Sequence, residues 1–222
     1  MGDDLDLSTI AEYAGMLLQG AGVTLALTAV AATFGLLISI GGAATARWGM
    51  RWARTLVTAY VELIRNTPFL VQLFFIFFGL PSLGLKMTAM TAAIIAMTIN
   101  LTAYTIEIMR AGIESVPPGQ REAGLALGLH PIWVFISVIL PQAIANVYPA
   151  LVSQIVITML ESAVVSQIAV MDLTHVADLI QSRNYRTFEA YSAVAVIYLV
   201  MAICLRRLAA KAGSRLFAGR AR

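Results

Sequence analysis

An all-α protein built into a membrane, with five spanning helices, is predicted by three observations on the sequence. Of its 222 residues, 59% are hydrophobic and only 12% charged, about half the charge that soluble domains carry. The apolar residues gather in long runs, and a bilayer core of about 30 Å needs roughly 20 of them per helix. Lipid offers the backbone no hydrogen-bond partner, so each run must satisfy its own polar groups by forming a helix. A chain of this length leaves no room for a separate soluble domain, and residues 1–222 are read as one transmembrane domain.

The first span is expected over about 16–45, stopping before Arg47, Arg51 and Arg54, and the second over about 55–80, ending at Pro81. A third run, 88–109, ends at Arg110. The texture then changes: Glu114, Pro117, Pro118, Gly119, Gln120, Arg121, Glu122, Gly128, His130 and Pro131 interrupt the apolar residues, so about 111–141 is placed at the membrane surface. Apolar character returns over about 143–170 and 187–205, with a polar stretch from Asp172 to Arg186 between them. The acidic start, MGDDLDLSTIAEYA, lacks the basic opening of a secretory signal, so no cleavage is expected. Cys204 is the only cysteine, which excludes an intrachain disulfide and suits a small apolar filler.

Cytoplasmic loops retain Lys and Arg. Arg47, Arg51 and Arg54, then Arg110 and Arg121, then Arg206, Arg207, Lys211, Arg215, Arg220 and Arg222 all fall on one side if there are five spans. The N-terminus is therefore expected outside and the C-terminus in the cytoplasm. The net charge of +3 does not argue for nucleic acid, because the basic residues flank apolar runs. No paired His or Asp cluster with metal-ligand spacing is present, so neither a metal site nor an enzyme is expected.

Three stretches carry a family resemblance. Glu122 to Pro141 reads EAGLALGLHPIWVFISVILP, a Gly-hinged pair of short amphipathic segments. It resembles the EAA loop of ABC importer permeases, with Glu122, Ala123, Gly128, Leu140 and Pro141 at the matching positions, Gly124 replacing the third small residue and Val138 an isoleucine. Arg65 to Pro81, RNTPFLVQLFFIFFGLP, and Ala103 to Leu129, AYTIEIMRAGIESVPPGQREAGLALGL, are similar to permeases of the polar amino acid group, which serves histidine, arginine, glutamine and glutamate. Val164 to Tyr191 resembles the same group's run before its last span. Asn66 departs from the glycine common at its position.

The resemblance implies a five-span type I importer permease of the bacterial inner membrane, paired with itself or a relative and fed a polar amino acid by an extracytoplasmic substrate-binding protein. It also implies a separate cytoplasmic ATPase that receives the EAA loop, with Glu122, Ala123, Gly128, Leu129 and His130 at the contact. The chain has no GxxxxGK[ST] phosphate cradle, so it is expected to bind no cofactor, with ATP and Mg on the partner. The alternative from another class is a secondary transporter or channel; its usual inverted repeat is not evident.

Charged residues inside spans are costly and mark function. Glu62 and Arg65, one turn apart beside Pro68, are expected to pair next to a kink. Asn100, Tyr104 and Glu107 share one helical stripe on span three, and Gln154, Thr158 and Glu161 share another on span four. With Ser162, these stripes are the expected substrate pathway, although Glu107 lies near the cytoplasmic end. Leu160 to Ala163 sits where many members of the resembled family carry Lys-Asp-Thr-Ser, keeping the acid and one hydroxyl. Phe74, Phe75, Phe77 and Phe78 are expected to pack against lipid and neighbouring helices.

Overall fold

Every element of the computed structural model, which describes residues 12–217, is helical. The acidic start of the chain, and Arg220 and Arg222 at its end, lie outside the described residues.

Helix α1, Ala14–Trp48, runs the length of the bundle. Its buried stripe is Thr24, Thr28, Ala31, Gly35, Ser39 and Ala43, small residues at helical spacing. Such a stripe lets another backbone approach closely. The neighbour is α4, Ala89–Glu114, the most enclosed of the long helices. A methyl group added at Gly42 would lie 2.6 Å from Ile106, so α4 occupies the space a side chain would need. The hydroxyls of Thr28 and Ser39 fold back onto the carbonyls of Thr24 and Leu36, which leaves neither bare in an apolar setting.

The run expected over 55–80 is not one straight helix. Helix α2, Arg51–Arg65, and α3, Phe69–Ser82, meet at 108°. Pro68 cannot donate to the helical ladder, and the residue before a proline is pushed out of helical geometry. The chain therefore breaks at Asn66 and Thr67. Gln72 caps the break: its side-chain amide donates to the Ile64 carbonyl at 2.7 Å and to the Thr67 carbonyl at 3.0 Å.

Helix α5, Pro118–Ala126, is the short surface helix of the segment 111–141. Residues 111–114 of that segment finish α4, and from Pro131 on it is the beginning of α6, Pro131–Ile168, which starts well before the expected position 143. Pro141 does not end it, because a π-helical turn, Phe135–Ile139, comes just before Leu140 and Pro141. The same device, Phe75–Gly79, precedes Leu80 and Pro81 in α3. A π turn removes one i→i−4 bond locally and gives the proline ring room. Helix α6 tightens to a 3₁₀ turn over Ser162–Ile168. Helices α7, Leu173–Asn184, and α8, Thr187–Leu216, complete the fold. Of these elements, α1, α4, α6 and α8 are each long and apolar enough to cross a membrane, and α2 with α3 makes a fifth, broken span.

The apolar core comes in three groups along the bundle. One joins α1, α7 and α8 around Leu17, Leu173, Val176 and Met201. A middle group holds Leu27, Leu73, Met97 and Val165. The third gathers Ala43, Met109, Ile113, Val134 and Ala143, where α1 ends and α6 begins. At this end Trp48 meets Phe135 edge-on at 5.5 Å, and Tyr148 donates to the Ala209 carbonyl of α8 at 2.7 Å. The turn holding Arg47, Arg51 and Arg54, the end of α4 with Arg110, helix α5 with Arg121, and the last turns of α8 with Lys211 and Arg215 thus share one basic end. Phe75 and Phe78 face outward while Phe74 and Phe77 pack inward, and Cys204 is exposed on α8 rather than filling a gap.

Candidate functional site

The segment between α5 and α6 projects from the basic end. Helix α5 starts on Pro118 and α6 on Pro131, positions where a missing N–H costs nothing. His130 caps α6, its Nδ1 accepting from the Ile132 N–H at 3.4 Å. Between them Gly128 takes φ +80°, a left-handed conformation that glycine alone adopts without strain. Gly128 N–H donates to the Leu125 carbonyl at 2.9 Å and Leu129 N–H to the Gly124 carbonyl at 3.2 Å, the paired bonds of a Schellman cap. Gly124 is buried, and a methyl group on it would lie 3.0 Å from Val134, so α5 rests directly on the first turn of α6. Glu122, Ala123, Leu127, Gly128, Leu129 and His130 all face outward. Leu127 is 81% exposed and Trp133 60% exposed, an apolar surface with Arg121 and Glu122 at its edge.

A cavity of about 830 Å³ opens at the same end, between the α1–α2 turn and α4. Arg47, Arg54, Arg65 and Arg110 line it together with Glu62, Glu107 and Glu114. Arg110 grips Glu107 through two bonds of 3.2 and 2.9 Å and Glu114 through two of 2.9 and 3.0 Å. Arg65 does not pair with Glu62 as its spacing suggested. Its guanidinium turns to α4, 3.7 Å from Glu107 and 5.5 Å above the centre of the Tyr104 ring.

The expected pathway residues do not gather in one place. Tyr104 lines the charged cavity. Asn100 is buried and donates to Gln72 at 3.0 Å, which ties α4 to the α2–α3 break. Gln154, Thr158 and Ser162 are buried on α6. Ser162 donates to the Met159 carbonyl at 2.7 Å, whereas the Thr158 hydroxyl has no hydrogen-bond partner among the described residues. Glu161, half-buried, closes the α-helical part of α6 and takes part in none of the ion pairs among the described residues.

Spacing alone missed two further polar residues. Gln72 sits in the run LVQLFF, where a lone amide is the only signal of a cap. Asp172 is fully buried and starts α7, accepting from the backbone N–H of His175 at 2.9 Å and of Thr174 at 3.3 Å and from the Tyr198 hydroxyl at 3.3 Å. Burial pushes its carboxyl above the ordinary aspartate range, and those donors oppose the rise. The sequence signal was an Asp just ahead of an amphipathic stretch.

The family described as binding-protein-dependent transport system inner membrane component matches residues 35–217. The glutamine transport system permease protein GlnP of Escherichia coli (strain K12) is 36% identical over 202 residues, 90% of this chain and 92% of that one. The probable glutamine ABC transporter permease protein GlnM of Bacillus subtilis (strain 168) is 41% identical over 148 residues, 67% of this chain and 68% of its relative. In the crystal structure of an amino acid ABC transporter with histidines, one chain superposes with a TM-score of 0.86 at 40% identity, covering 97% of the present chain and 100% of that one.

Proposed function

The chain belongs to the family of binding-protein-dependent transport system inner membrane components, and from that premise we propose that it admits a polar amino acid to the cell as one half of a permease pair driven by a separate ATPase. ABC importer permeases of amino acids are its relatives, which leaves the secondary-transporter alternative without support. The observation that carries the coupling is the exposed turn of Glu122, Ala123, Gly128, Leu129 and His130, built onto the first turn of a spanning helix. A partner that moves this turn moves α6 with it. ATP and Mg belong to that partner, and this chain holds no cofactor.

In this reading the basic end faces the cytoplasm, since retained Lys and Arg set orientation. The N-terminus and α7 then face the periplasm, where a substrate-binding protein delivers its cargo. Glu161 lies on the pathway with Gln154, Thr158 and Ser162 on its own helix, while Asn100 and Tyr104 of α4 serve it closer to the basic end, at the α2–α3 break and in the charged cavity. An acid in a span is expensive unless compensated, and the ammonium of an amino acid compensates Glu161 only while substrate is present.

The test is uptake by vesicles that contain the permease, its ATPase and its binding protein. Glutamine, histidine and arginine are the first substrates to try, and uptake should require ATP. Glu161→Gln should assemble fully and take up substrate poorly. Uptake at the wild-type rate and with wild-type preference in that variant would remove Glu161 from the pathway.

A further inference from the structure

We propose that Glu62 and Arg65 form a station for the zwitterionic head of an amino acid at the basic end of the bundle, with the carboxylate of Glu62 facing the α-ammonium and the guanidinium of Arg65 the α-carboxylate. The proposal rests on the reading of the chain as an amino acid permease and adds a site on α2, apart from Glu161 on α6.

The pairing pattern in the cavity leads to it. Glu107 and Glu114 are both satisfied by Arg110, through four bonds of 2.9 to 3.2 Å. Arg65 reaches Glu107 only at 3.7 Å, beyond hydrogen-bond length. Most of its five N–H donors are therefore unused, and a carboxylate can take two of them side by side. Tyr104 lies beneath the guanidinium, its ring centre 5.5 Å from Cζ, within reach of a cation–π attraction. Glu62 lines the same cavity one turn earlier on α2 and forms no ion pair among the described residues. Residues three apart on a helix stand about 5–6 Å from each other. An unpaired acid and an undersatisfied base at that spacing, in a cavity of about 830 Å³, match the two charges of an amino acid head group.

Val57, Thr58, Val61 and Ile106 form the uncharged wall of the cavity, and its remaining charged residues include Arg110, Glu107 and Glu114, which hold one another. The pair of Glu62 and Arg65 addresses the head group common to all free amino acids.

The test is equilibrium binding to the permease–ATPase complex in lipid nanodiscs. The probe is whichever of glutamine, histidine and arginine wild-type vesicles accumulate, together with its α-amide and its N-acetyl derivative. Arg65→Gln should weaken binding of the free amino acid by about tenfold or more, the scale of one charged hydrogen-bonding pair. It should leave the α-amide unchanged. Glu62→Gln should weaken the free amino acid and leave the N-acetyl derivative unchanged, and Arg65→Lys should recover part of the loss. Arg54→Gln, which alters another arginine of the same cavity, should bind like wild type. If Arg65→Gln weakened the amide as much as the acid, the residue would only position α2 and the station would be withdrawn. An equal loss in Arg54→Gln would assign the effect to diffuse positive charge and also overturn it. Wild-type vesicles that accumulated none of the three amino acids would instead remove the substrate class, a failure visible before any variant is made.

Discussion

Gly128 and Gly124 stand four residues apart and are needed for opposite reasons. Around Gly128 nothing lies within 4 Å of where a methyl group would go, so a substitution there meets no neighbour and strains only the backbone. The left-handed conformation costs other residues roughly 1–2 kcal/mol, enough to shift the turn without unfolding the helices beside it. Gly128→Leu should therefore insert normally, retain less ATPase on copurification and take up substrate slowly. Normal copurification together with normal uptake would detach this turn from the ATPase. Gly124 has ordinary helical angles but no space. Gly124→Ala should push Val134 away and lift α5, and Val134→Ala in the same chain should restore ATPase retention. At Asp172 the requirement is for acceptors: Asp172→Asn keeps one side-chain oxygen to cap α7, whereas Asp172→Ala should lower stability by about 1 kcal/mol or more, read as a fall in the thermal midpoint in detergent.

At the scale of the element, the broken span is held by a relay in which Asn100 of α4 grips Gln72, and Gln72 in turn holds Ile64 and Thr67. Gln72→Leu has nearly the same volume but removes the side-chain donor to the Thr67 carbonyl and the acceptor for the Asn100 amide, leaving Ile64 only its longer bonds from Thr67. A loss of about 1–3 kcal/mol is expected, measured by thermal unfolding, and an unchanged midpoint would mean that water or lipid headgroups already satisfy the break. The break was legible in the sequence, because Pro68 follows Asn66 and Thr67. Its cap was not, since an amide inside an apolar run looks the same whether it serves a broken neighbour or a substrate. Asn100 was grouped with Tyr104 and Glu107 for a related reason: helical spacing gives the face of a residue but not the helix that face meets. The prolines misled in the other direction. Pro141 reads as a terminator, yet a π turn ahead of it carries α6 through, and nothing in FISVI signals such a turn from composition. The pairing of Glu62 with Arg65 failed because Glu107 and Tyr104, some forty residues away, compete for the same guanidinium.

For the whole molecule, the membrane class, the number of apolar runs and the surface helix and turn after α4 were all legible, since they depend on composition and on the local pattern around Glu122, Ala123 and Gly128. The charged cavity was not, because its lining comes from α1, α2 and α4, and only folding brings them together. The collection of basic residues at one end turns orientation into an experiment. A phosphatase that matures only outside the cytoplasm should be inactive when fused after Arg222 and active when fused within α7; activity after Arg222 would sink the five-span arrangement. Helix α6 carries the exposed Gly128 turn at one tip and Glu161 near the other, and it runs 38 residues from Pro131 to Ile168. Thirty residues at 1.5 Å each make a lever arm of about 45 Å. Spin labels at Leu127 and Ile157 should keep a constant separation through the ATP cycle while both shift against α8, and a change of several ångströms between them would show that the arm flexes. With a stiff arm, a tilt of about 5° at the Gly128 tip sweeps the far tip through about 4 Å, so that in the proposed complex a slight rocking of an ATPase would be geared up to the width of a head group by leverage alone.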